Sequence, residues 1–371
     1  MPLTVRDILH RLDQLAPPAL AESWDNVGLL LGDPAREVTR VMTALDPTAE
    51  VLAQVEAMRA ELLVTHHPLL FAPVKRLVED GGAMSLLQRF IRAGCSVIAA
   101  HTNLDSAPHG LNTHVANLLG LRDTRPLVPS PTRPLLKLVV YVPGTHAEEV
   151  RVAISDAGAG QIGDYAECSF AAPGTGTFRP GAGTHPYIGA VDVLERVPEV
   201  RLETVVPKTL LSPVLSALFA AHPYEEVAYD LITLENPWPD AGLGRLGRLD
   251  APTTAGAFLS FVRETLPAPR AVLLGDPAQP VDTIALCTGA GGEFLDYATR
   301  AGANLYLTAE LKHHQAIIAG RSAPAVIDAG HFPTEYPVSA LLADYLSAQF
   351  PTLIVTRAVE TDPYSNEPTR W

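Results

Sequence analysis

Cysteine and lysine are both scarce in this chain, and each shortage closes a line of interpretation. Cys95, Cys168 and Cys287 are the only cysteines. They are odd in number, widely spaced and in no C-x-x-C pair, so neither a disulfide framework nor a zinc knuckle is supported. Four lysines stand among 27 basic residues, against 41 acidic ones, for a formal net charge of −14. Phosphate neutralisation needs clustered Lys and Arg, so a strong nucleic-acid surface is not expected; the lysine shortage itself reads as genome composition. The acidic balance does not exclude an anionic small molecule, because bound metal ions would be the largest local charges in a site. Long apolar runs are missing too, with none approaching the roughly 20 residues that span a bilayer. Residues 5–12 have an amphipathic helical pattern rather than a signal peptide's apolar core. A cytoplasmic protein without a membrane partner is expected.

What is present is apolar residues in quantity. Of 371 residues, 47% are hydrophobic and only 18% charged, so the chain is globular and too long for one ordinary core. The spacing predicts a helix near 4–15, a strand at 40–45, a helix near 49–59, strands ending at His66 and His101, and a helix at 110–119. Four prolines between 126 and 134 mark a boundary where regular structure should stop. From 135 to 235 the grammar changes: strands at 135–142, 188–197, 200–207 and 227–234, helices at 147–157 and 210–221, and a Gly- and Pro-rich loop at 171–183. Two β-α-β units in this length predict a ferredoxin-like sandwich. After a second break at 236–247, α/β alternation returns, with helices at 253–265, 292–301, 310–319 and 337–348. Strands are expected at 270–275, 282–287, 304–307, 325–329 and 352–355. The expected architecture is therefore α/β, with two halves, 1–127 and 242–371, forming one unit interrupted by an α+β insert at 135–235.

Three clusters of metal-type ligands stand where hydrophobic strands run out. Residues 61–65 lead into His66 and His67, 95–100 into His101 and Asp105, and 325–330 into His331 and Glu335. In open α/β sheets, loops converge beyond the carboxyl ends of the strands, and ligands bind there. Four imidazoles and two carboxylates exceed the three protein ligands of one open zinc site but suit two ions sharing a carboxylate, which clamp and activate water in hydrolytic enzymes. Each cluster alone also has an ordinary reading, as a strand cap, a loop hydrogen bond or a helix-dipole carboxylate. Pro333 and Pro337 are expected to delay a helix to Thr334 as N-cap, leaving His331 in the preceding turn.

Other segments carry two readings each. Residues 289–292 are a phosphate-binding turn or a tight structural turn. Glu310, His313 and His314 support the site or lie on a solvated face. Asp25 and Asn26 line the pocket, or belong to a turn anchored by a buried Trp24. His222, in the run His222-Pro223-Tyr224-Glu225-Glu226, is a further metal ligand or part of a structural turn.

Four ordered motifs carry a family resemblance: residues 23–32 (SWDNVGLLLG), 65–69 (THHPL), 101–105 (HTNLD) and 330–335 (GHFPTE). Together they resemble the NIF-three-like family, also called GTP cyclohydrolase I type 2 homologues or dinuclear metal-centre proteins. The resemblance spans nearly the whole chain. It implies two divalent ions, with His66, His67, Asp105, His331 and Glu335 at ligand positions, Glu335 as the bridge, and His101 as a further ligand or catalytic proton-transfer residue. It also implies a PII-like insert and a ring-shaped homohexamer. Zn suits the donors best, with Fe, Mn, Co or Ni also compatible. Hydrolysis of a nucleotide-type substrate, with GTP ring opening as one form, is the leading functional expectation. A metal carrier or regulatory binding protein is the alternative.

Overall fold

The computed structural model describes residues 2–78, 82–130, 135–163, 165–236, 238–266, 268–321 and 324–364. Its strands in chain order are β1 (Gly28–Leu31), β2 (Arg40–Ala44), β3 (Leu62–Thr65), β4 (Ser96–Ala99), β5 (Arg122–Ser130), β6 (Leu135–Pro143), β7 (Ser169–Phe178), β8 (Glu195–Pro207) and β9 (Tyr229–Leu234). They continue as β10 (Trp238–Thr254), β11 (Val272–Leu274), β12 (Pro280–Leu286), β13 (Leu305–Thr308), β14 (Ala325–Asp328) and β15 (Ile354–Arg357). The chain divides into two compact units, one of Met1–Ser130 with Trp238–Trp371, the other Pro131–Pro237.

The larger unit is a mixed α/β structure built on two sheets, ordered β1-β4-β3-β2-β15 and β11-β14-β13-β12-β10-β5. Each sheet takes a strand from the far side of the chain break: β15 pairs parallel with β2, and β5 pairs antiparallel with β10. The central strands β2, β3 and β4 are mutually parallel, as are β12, β13 and β14. Apart from the first half of β12, their side chains are almost all buried, which explains apolar runs without polar alternation. Val64 and Ile98 of one sheet and Ile284, Leu307 and Ile327 of the other belong to one continuous core. Truncating one such side chain to Ala typically costs about 2–5 kcal/mol. The helix Ala49–Met58, capped by Thr48 accepting from the Val51 N–H and ended by Arg59 in the left-handed region, returns the chain from β2 into β3. That crossover delivers His66 and His67 to the carboxyl edge of their sheet.

Several expected boundaries are corrected. β5 runs straight through Pro126 and Pro129 because it is an edge strand, where a missing N–H breaks no ladder on its open side. Pro131 and Pro134 lie outside the described residues. The glycine-rich stretch after Pro237 is not a linker but the 17-residue strand β10. There Gly242, at φ +147°, lets the backbone approach β5 so closely that a Cβ would sit 2.2 Å from the Val128 carbonyl oxygen. Part of the supposed loop at 171–183 is the edge strand β7, and the following strand begins only at Glu195.

The smaller unit is a four-stranded antiparallel sheet ordered β7-β8-β6-β9, with helices Ala147–Asp156 and Leu211–Ala221. The β-α-β-β-α-β sequence of elements in this strand order is that of a ferredoxin-like sandwich. Val140, Leu202, Ile154 and Leu218 lie together in its own core.

Candidate metal centre

All six sequence-selected residues meet at the carboxyl edges of the two sheets of the larger unit. His66 and His67 follow β3, His101 follows β4, and Asp105 lies in the one-turn helix Thr102–Ser106. His331 and Glu335 follow β14 on the helix His331–Glu335. Here the expectation was wrong. The helix starts at His331, with Gly330 as N-cap, because Pro333 stands in the first turn where its missing N–H has no partner to lose. His331 and Glu335 therefore share one helical face at i, i+4, with Nε2 and Oε2 2.8 Å apart. Thr334 is not the cap; its hydroxyl accepts from the Gly289 N–H at 3.1 Å.

The ring centroids of His66, His67 and His101 lie 5.1–5.3 Å apart, and those of His67 and His331 5.5 Å apart. Two overlapping sets have ligand atoms all within 4.8 Å of one another: His66, His67 and His101, and His67, His331 and Glu335. Asp105 adds Oδ1 at 3.6 Å from His66 Nε2. The Glu335 carboxylate spans the cluster, with Oε1 4.0 Å from His66 Nε2 and Oε2 3.1 Å from His67 Nε2.

Each imidazole is oriented from behind. Nδ1 of His66 meets the Ala100 carbonyl oxygen at 2.8 Å, that of His67 meets Asp46 at 2.8 Å, that of His101 meets Asp25 at 2.9 Å, and that of His331 meets Glu310 at 2.9 Å. A carbonyl or carboxylate can only accept, so each Nδ1 carries the proton and each Nε2 points inward. This is the arrangement by which proteins fix the tautomer of ligating histidines. Buried atoms without a hydrogen-bond partner include His66 Nε2, Asp105 Oδ1 and Glu335 Oε2. Glu335 Oε2 approaches two imidazoles, but neither contact is aligned as a hydrogen bond. Leaving such atoms unpaired is costly, and a metal ion held among them would supply the missing partner. The donor set fits divalent ions.

The electrostatics of the protein groups alone agree. Burial pushes His66 down to about 3, so this ring is neutral at neutral pH. His67 rises to about 10 despite its burial, through Asp46 and Glu335. His331 rises to about 9 against burial, through Glu335 and Glu310. Burial and the neighbouring Glu335 hold Asp105 well above the usual carboxylate range. Glu335 is held below it, against its burial, by His331 and His67. Asp25 is likewise held low, against burial, by His101 and Thr102.

Asp46 and the Ala100 carbonyl escaped sequence reading. Asp46 had a signal, since it ends the strand at 40–45 as the ligands end theirs. Gly289, at φ +64°, belongs to a tight structural turn: a Cβ there would lie 2.0 Å from Glu335 Oε1. Glu310 does support the site, whereas His313 and His314 are exposed. Trp24 is 60% exposed and edge-on to His101, not buried, while Asp25 is the hydrogen-bond partner of His101. Asn112 links two site loops, donating to the Asp105 carbonyl and accepting from the Thr288 N–H. His222 spends both nitrogens locally, on the Tyr141 carbonyl and the Tyr224 N–H, which makes its turn structural. Beside the cluster is a cleft of about 390 Å³ whose lining includes Arg270, Asp328, His331, Phe332 and Tyr364.

Fold and site together define an α/β protein with a buried histidine–carboxylate cluster at converging strand ends. Residues 3–364 match the Duf34/NIF3 (NGG1p interacting factor 3) family, and the chain belongs to it. It is 40% identical over 371 residues to a Mycobacterium tuberculosis protein named GTP cyclohydrolase 1 type 2 homolog, covering 98% of this chain and 97% of that one. The Bacillus subtilis protein of the same name is 38% identical over 327 residues, 88% of each chain. The crystal structure of a Bacillus cereus protein related to NIF3 superposes with a TM-score of 0.85 at 35% identity, over 98% of this chain and 99% of that one. Among the described residues, no helix is long and apolar enough to cross a membrane.

Proposed function

We propose that this protein is a hydrolase that holds two divalent ions and acts on a nucleotide-type substrate in the cytoplasm. The observation that carries the reading is the aim of four Nε2 atoms and two carboxylates into one volume, every Nδ1 tied back. The proposed ligands are His66, His67, His101, Asp105, His331 and Glu335, with Glu335 as the bridge between the two histidine sets. Zn suits this donor set best. Two such ions, when bound, lower the pKa of a water and polarise the bond under attack. Asp25 holds the His101 ring in place, so His101 serves as a ligand or moves a proton beside the site. In the adjoining cleft Arg270 offers a charge for a phosphate, and Tyr364, 72% exposed, a ring for a base. The names of the relatives support GTP as the first substrate to try, with phosphoesters of nucleotides next.

The smaller unit, on its strand order, is read as a PII-like insert, and the assembly as a ring-shaped homohexamer. The test is a metal-dependence assay on a nucleotide panel. Turnover abolished by chelation and restored by Zn, Mn or Co supports the hydrolase. Tight metal binding with no turnover of GTP, other nucleotides or phosphoesters, and ready transfer of metal to an acceptor, replaces it with a carrier.

A further inference from the structure

The smaller unit has a cavity of its own, of about 260 Å³, whose lining residues include the aromatic Phe178, Tyr187 and Tyr224 and the acidic Glu199, Glu225 and Glu226. The other lining residues are threonine, proline, isoleucine and alanine, with no lysine or arginine among them. The rings come from three places: the end of β7, the loop after it, and the turn after the helix Leu211–Ala221. The Tyr224 ring lies 5.8 Å from Phe178 at 60° and 6.3 Å from Tyr187 at 51°, so they form a corner rather than a stack.

The corner is braced. The Tyr224 hydroxyl donates to Glu199 Oε1 at 3.0 Å, its N–H donates to His222 Nδ1, and His222 Nε2 in turn meets the Tyr141 carbonyl. Glu225 accepts from the His185 N–H at 2.9 Å, which ties down the loop carrying Tyr187. Tyr187 itself remains 55% exposed. Aromatic faces carry the negative part of the ring quadrupole and attract cations within about 6 Å of the centroid. Three rings and three carboxylates around one small space repel anions, and the carboxylates are wasted on a neutral apolar ligand. Ring walls in place of converging oxygens disfavour a hard metal ion. The cavity falls below the roughly 300–1,000 Å³ of drug-sized ligands.

We propose that this cavity is a binding site for a small organic cation, an ammonium group on a short alkyl chain.

The test is calorimetric titration of the full chain with choline, beside its uncharged isostere 3,3-dimethylbutan-1-ol and with butylammonium as the primary amine. The expected result is saturable binding of both cations, with the alcohol at least about tenfold weaker. Tyr187→Ala should weaken choline by about 2- to 30-fold, the range of a cation–π contact. Glu226→Gln should weaken it as well, and both exposed positions should leave the circular dichroism unchanged. Equal binding of choline and the alcohol would overturn the proposal, as would the absence of saturable cation binding. Binding undiminished in both variants would place the cation elsewhere and overturn it equally.

Discussion

Gly289→Ala offers the sharpest perturbation of the metal centre from outside its ligand set. Two costs follow from the geometry. At φ +64° an alanine is in the left-handed region, at about 1–2 kcal/mol. Its Cβ would stand 2.0 Å from Glu335 Oε1 and 3.4 Å from His331 Nε2. Restoring ordinary contact means that the Glu335 carboxylate retreats by more than about 1 Å, whereas metal–ligand distances tolerate about 0.2 Å. The backbone term alone should lower Tm by about 2–8 °C for a unit of this size. Metal affinity should fall by at least about 100-fold, the upper end of what losing a supporting contact does. Gly291→Ala is the control, because its Cβ would meet Thr308, Cys287 and Tyr306 rather than Glu335. It should destabilise without acting directly on the carboxylate. Elemental analysis and thermal unfolding of both variants decide the matter. A folded Gly289→Ala protein with wild-type metal content refutes the argument, and so does equal metal loss in the two variants.

Four further outcomes are expected. With His67 at about 10 and His331 at about 9, both rings are protonated at pH 7.5 and must deprotonate on ligation. Metal binding should then release about two protons or more and tighten as pH rises; calorimetric heats that do not vary with buffer ionisation enthalpy contradict this. In the ion-free protein the same raised values mean that these ion pairs stabilise fully below about 6.5 and lose that contribution as pH climbs through 9 to 10, visible as falling Tm. Arg245 is buried and donates to the carbonyls of Ala107, Gly242 and Gly244 and to the Thr113 hydroxyl, all at 2.7 Å. Arg245→Met strands these acceptors and should cost about 2–4 kcal/mol in denaturant unfolding, offset in part by removal of a buried charge; an unchanged midpoint refutes the role. Ser130 and Trp238 are paired residues of β5 and β10, so replacing 131–237 by an Asn-Gly turn should leave a folded protein with both ions. Metal loss from such a folded protein contradicts the assignment of every ligand to the larger unit.

How far the sequence could be read depended on the range of the interactions involved. His66, His67, His101 and Asp105 were legible because a strand end is a local signal: a buried apolar run, then a ligand. Asp46 carried the same signal but has value only beside His67, 21 residues on, and that pairing depends on the crossover. Gly289 looked like a generic tight turn because its reason, the Glu335 carboxylate, comes from another segment. The helix over His331–Glu335 was misplaced by treating Pro333 as a breaker, although a proline in a first turn costs no hydrogen bond. β7 and β10 were hidden for a related reason. Glycine and proline read as loop, yet edge position and close strand approach make both residues suitable there.

In the proposed centre six side chains converge to hold two ions, with Glu335 between them. Elemental analysis of protein purified without added metal, wild type beside Glu335→Ala and with folding checked by circular dichroism, tests it most directly. About two divalent ions per wild-type chain are expected, with loss of bound metal in the folded variant. Full occupancy in Glu335→Ala, or a wild-type protein that takes up no ions when they are supplied, would contradict this arrangement.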